Sequence, residues 1–179
     1  MENKKELKKK ILDLINQGNS KQVIFNELKM TYRNQIDLAK LISQFPTLEN
    51  KKKYSSTNTT LIVLLSIALL FDIVGLSFVA IFLDIVLLYV VATFQVNYYQ
   101  WITFRAGFSA VFLIIIMIFA KFTTLDMIAC FISLLILIPT VIIANKLEKK
   151  LCPDFEQKKI QTTNENGKPI FRLQFIFKD

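Results

Sequence analysis

Between Thr59 and Asn145 the sequence carries only five formally charged side chains, Asp72, Asp84, Arg105, Lys121 and Asp126, in a run dominated by Leu, Ile, Val and Phe. A soluble core needs no apolar stretch of that length. A bilayer does, because each spanning helix takes ~20 mostly apolar residues. The expected fold class is therefore an all-α membrane protein. It has four transmembrane helices, a small N-terminal cytoplasmic helical domain and a C-terminal β-hairpin tail.

Polar interruptions divide the apolar region over residues 60–145 into four helices, at roughly Thr60–Leu76, Ser77–Val96, Thr103–Ala120 and Leu125–Asn145. Gly75 and Ser77 mark the first turn. Gln95, Asn97, Tyr98, Tyr99, Gln100 and Trp101 mark the second, and Lys121, Thr123, Thr124 and Asp126 the third. Tyr and Trp favour the head-group level, where one end of the ring stays apolar and the other is hydrated. Trp101 and Arg105 are thus expected at the lipid head groups, as are Lys51, Lys52 and Lys53 just before the first span. Lys and Arg gather before the first helix and again at Lys146, Lys149 and Lys150. By charge bias both ends are cytoplasmic. The net charge of +8 then reports membrane topology and does not require nucleic acid.

Residues 1–53 read as three short helices. Leu7, Ile11, Leu14 and Ile15 recur at helical spacing, and Gly18 suits the left-handed position that ends such a helix. Ser20 caps a second helix to Lys29 with Val23 or Ile24, Phe25 and Leu28 inward. A third fits Arg33 to Gln44 with Ile36, Ala39, Leu41 or Ile42, and Phe45 inward, and Pro46 ends it. Residues 54–59 are polar and poor in helix formers, and read as a juxtamembrane hinge.

The stretch from Gly18 to Leu28 resembles the second helix of a helix-turn-helix, which would make Tyr32 to Ile36 the start of a recognition helix. Ile36 falls about one residue late for that spacing, and the candidate helix offers only Arg33 and Lys40 as cations. A helical adaptor accounts for the same stripes without DNA. In the tail, residues 146–179, the last helix extends to Leu151. A hairpin then follows, with strands at Lys158–Thr163 and Ile170–Phe177 around an Asn166-Gly167 turn. Phe171, Leu173, Phe175 and Phe177 share one face of it and need a partner, for which the amino-terminal helices are the favoured choice.

Function is less legible. The chain contains no His, which removes the commonest general base and metal ligand. No phosphate loop, nucleophile motif or paired-carboxylate dyad is present. Cys130 and Cys152 have no metal-ligand spacing. The expectation is a non-enzyme without catalytic, metal or cofactor residues. Its partners are the bilayer and either further copies of itself or a cytoplasmic protein, rather than nucleic acid. A channel or membrane-disrupting effector is the alternative, and a membrane-tethered DNA-binding regulator the second. Asp72 and Asp84 are the candidate intramembrane polar site, since charge inside a bilayer is costly. A basic start without a cleavage site, and a composition rich in Lys, Asn, Ile and Phe, suggest an uncleaved anchor in a bacterial inner membrane.

Overall fold

The computed structural model describes residues 4–32, 34–74, 78–119, 123–153, 155–163 and 169–177. These are mostly helical, with a small hairpin near the C-terminal end. The chain divides into two compact units. One comprises Met1–Asn50 with Leu151–Asp179, and the other Lys51–Lys150.

In the first unit, α1 (Lys4–Asn16) buries Leu7, Ile11 and Ile15, one residue per turn on one stripe. Its end is a Schellman motif. Gly18 sits at φ +88°, its N–H bonds Ile15 O (2.9 Å), and Asn19 N–H bonds Leu14 O (3.2 Å). The Ser20 hydroxyl then accepts from Val23 N and starts α2 (Lys21–Leu28), which buries Ile24, Phe25 and Leu28 and leaves Val23 exposed. Helix α3 (Gln35–Ser43) is capped by Asn34, whose Oδ1 accepts from the N–H groups of Ile36 and Asp37, both at 3.2 Å. That cap sets the helical phase. Leu38, Ala39, Leu41 and Ile42 turn inward, while Ile36, expected to be buried, faces out. Arg33, the expected start of this helix, lies outside the described residues.

Strands β1 (Glu156–Thr163) and β2 (Pro169–Ile176) pair antiparallel, with Glu156 opposite Ile176 and Thr163 opposite Pro169. The Asn166-Gly167 turn falls outside the described residues. Phe175 and Phe177 enter the core made by α1, α2 and α3. Their rings lie 5.1 and 5.5 Å from Phe25, and 5.8 and 5.7 Å from Phe155, all tilted as aromatic quadrupoles prefer. The Phe177 N–H donates to Gln22 Oε1 at 3.4 Å. At the α3 C-terminus the buried Lys21 ammonium donates to Ser43 O, and Cys152 Sγ donates to Gln44 O, both at 3.2 Å. A cation is favoured there by the helix dipole.

Helix α4 (Leu48–Lys53) leads into the second unit. There α5 (Ser55–Val74) is followed by α6 (Phe78–Ala92), a 3-10 turn at Val96–Tyr98, α7 (Tyr99–Phe119) and α8 (Thr124–Leu151). Among the described residues three stretches are long and apolar enough to cross a membrane: Ser55–Val74, Val96–Phe119 and Thr124–Leu151. Helix α6, expected to reach Val96, stops at Ala92 and rises only about 22 Å. Its end is a second Schellman motif, with Phe94 N–H on Val91 O, Gln95 N–H on Val90 O, and Phe94 itself at φ +54°. No glycine announces it.

The hinge expected over residues 54–59 is instead helical from Ser55 on. Thr59 and Thr60 hydroxyls bond back to Ser55 O and Ser56 O at 3.0 and 3.1 Å, and so satisfy themselves within the helix. The first expected turn, Gly75 to Ser77, and Lys121 of the third lie outside the described residues. Helices α7 and α8 pack through small residues. Ala106 and Ala110 bury against Leu137, with Leu134 and Val141 beside them. Helix α8 runs unbroken through Pro139, which has no N–H to give Leu135 O. The Thr140 hydroxyl donates to the next carbonyl, Ile136 O, at 2.7 Å.

Candidate functional site

Three charges stand alone on three successive apolar helices. Asp72 is two residues from the end of α5, Asp84 is midway along α6, and Arg105 is in the second turn of α7. They come together. The Arg105 guanidinium bonds the Asp72 carboxylate through one Nη and lies 2.8 Å from Asp84 Oδ1 through Nε. Asp84 is fully buried. The Nε contact is an ion pair without hydrogen-bond alignment, and neither Asp84 oxygen has a hydrogen-bond donor among the described residues. Low dielectric strengthens the attraction between the charges and also raises the cost of leaving one unmatched.

Sequence reasoning singled out the two acids but put Arg105 at the head groups. The guanidinium faces both acids, and the side chain is 16% exposed. The signal was present, since a lone Arg and two lone Asp on neighbouring apolar helices have few ways to avoid hydrocarbon except each other. Trp101 is exposed, edge-on to Phe104. Lys51, Lys52 and Lys53 form the last turn of α4, and Lys53 Nζ lies 5.7 Å from the Tyr54 ring centroid.

Two cavities adjoin the charges. One of about 380 Å³ is walled by α5, α7 and α8, and includes Asp72, Arg105 and Ser133. The other, about 660 Å³, lies along α6 and α7 and includes Asp72, Arg105, Leu83, Trp101 and Phe104. Phe108 and Ser109 line both. Phe104, Phe108 and Phe112 stack along α7 at 6.3 and 6.4 Å.

A second polar knot, missed in the sequence, joins the same three helices. Tyr99 Oη donates to Asn58 Oδ1 at 2.6 Å, and Asn58 Nδ2 donates to Val91 O at 3.0 Å. All three residues are buried. Among the described residues no group of three His, Cys, Asp or Glu side chains could hold a metal ion. No protein-family model matches this chain, and neither a curated protein nor a solved structure matches it.

Proposed function

We propose that this is a non-enzymatic membrane protein of a bacterial inner membrane. It crosses four times with both ends cytoplasmic, and those ends form a module for self-association. The observation that carries the reading is the shared core of the two chain ends, with Phe175 and Phe177 packed among residues of α1, α2 and α3. Ends that fold together lie on the same side of a bilayer, so the number of crossings is even. Three long apolar helices alone would leave the ends apart, so parity favours α6 as the fourth span. A helix of about 22 Å crosses a hydrocarbon layer of ~30 Å by local thinning and by help from its flanks. The Lys cluster at 51–53 supports the cytoplasmic side.

Self-association is favoured by what the hairpin leaves uncovered. Phe171 is 70% and Leu173 45% exposed, on the face whose other half, Phe175, is buried. In a two-stranded sheet each strand also presents an open edge. Light scattering of the detergent-solubilised protein, corrected for bound detergent, tests this. The wild type should exceed the mass of one chain, and Phe171→Lys with Leu173→Lys should return it to one. A wild-type monomer would overturn self-association.

The conducting alternative draws on Asp72 and Asp84. A ring-sized oligomer would bring it forward, and unchanged function after replacing both acids with Asn would count against it. The DNA-binding alternative is weakened by the connector between α2 and α3. It is six residues long, Lys29 to Asn34, where a helix-turn-helix uses 3–4.

A further inference from the structure

We infer that Asp72 and Asp84 together form a proton-binding site, in which one proton bridges the two carboxyl groups and Arg105 is the counter-ion of the pair. The shape of the guanidinium leads to this. Its Nε and Nη2 lie along one edge, which normally takes both oxygens of a single carboxylate. Here Nη2 bonds Asp72 Oδ2, and Nε lies 2.8 Å from Asp84 Oδ1. Two acids crowd an edge suited to one, and they lie within hydrogen-bonding reach of each other. One guanidinium compensates one of them. Away from water, two carboxylates in contact do not both stay ionised, and a shared proton removes the repulsion.

Burial decides which acid carries the proton. Asp84 is fully buried, and neither of its oxygens receives a hydrogen bond among the described residues. As a carboxylate it would be a buried charge with no donor, a costly state. As a carboxylic acid it needs one acceptor for its O–H, and Asp72 supplies it. Asp72 keeps its charge, because it accepts from Arg105 and its side chain is 26% exposed. The protonated cluster then holds one guanidinium, one carboxylate and one acid, and its charge sums to zero. Asp72 also lines both cavities, which gives the proton a route to the buried partner. Tyr98 is the one other titratable side chain among those lining the two cavities, and α8 contributes only uncharged groups, Ser133, Ile136 and Leu137. Loss of the proton would set two like charges against each other where α5, α6 and α7 meet, so helix packing is tied to it. This inference rests neither on self-association nor on the number of crossings.

Infrared spectroscopy of the full-length protein, in a neutral detergent without carbonyl groups, tests the site. Surface Asp and Glu are ionised at neutral pH, so a carboxylic-acid C=O band there reports the buried pair. The wild type should show one such band, shifted on transfer to D2O as the proton exchanges through Asp72. Asp72→Asn and Asp84→Asn should each abolish it, because the acid that remains matches Arg105 one to one and stays ionised. Thermal melting shows that both variants are folded. Loss of the band in both is the signature of a shared proton. A band that survives in folded Asp72→Asn protein would mean that burial alone protonates Asp84, and would overturn the proposal. The absence of any such band from the wild type would overturn it whatever the variants do.

Discussion

Arg105 holds two acids from two other helices, and its loss has a cost neither acid's loss has. Arg105→Gln leaves Asp84 buried with no opposite charge, and we expect it to lower stability in detergent by about 3–5 kcal/mol. Asp72→Asn should cost far less, because Arg105 keeps Asp84. The triple variant Asp72→Asn, Asp84→Asn, Arg105→Gln should recover much of the loss. Chemical denaturation of the four proteins checks the order, and a triple variant no better than Arg105→Gln alone would refute charge matching as the reason. Tyr99 is a neutral counterpart. Tyr99→Phe keeps the ring and strips the donor from buried Asn58 Oδ1, so about 1–3 kcal/mol should be lost, with Asn58→Leu partly rescuing it in the double variant. The acids were legible as isolated charges in an apolar run. Their matching with Arg105, and the burial of Lys21 against Ser43 O, were not, because a side chain's partner across 22 or 33 residues is set by where helices pack.

At the scale of elements, helix ends decide how much of each segment the sequence reveals. Gly18 was readable because only glycine takes φ +88° without a penalty. Nothing lies within 4 Å of where its Cβ would be, so Gly18→Ala should cost only the left-handed backbone, roughly 1–2 kcal/mol. A thermal melt detects this, and Gly18→Asn should lose less. The end of α6 uses the same motif with Phe94, a residue that rarely accepts it, so composition alone carried the second helix four residues too far. Residues 54–59 failed the other way. Their weak helix propensity was overridden by Asn58, buried against Val91 O and Tyr99, while the Thr hydroxyls are satisfied within the helix.

For the whole molecule, the shared core of the two ends and the parity argument make one joint prediction. Tags fused to the two termini should be digested together in inside-out vesicles and protected together in spheroplasts. Tags on opposite sides would exclude four crossings. The core that unites the ends rests on Phe175 and Phe177, whose partners Phe25 and Phe155 stand at very different distances along the chain. Hydrophobic alternation marked the hairpin face that needed covering. Only the fold decided that its inner half would be covered by the helices and its outer half, Phe171 and Leu173, left open.

The sequence by itself determined the apolar segments, the three short helices near the amino terminus and the hairpin. These follow from local regularities, namely runs of ~20 apolar residues, periods of 3.6 and 2, and capping side chains. Tertiary structure alone decided the Asp72–Arg105–Asp84 cluster, the Asn58–Tyr99 knot and which of the hairpin's aromatic residues enter the core with the amino-terminal helices. Each needs groups far apart in the chain to meet. Burial makes such meetings worth more than any local preference, since a buried charge or donor left alone costs several times what a helix propensity contributes.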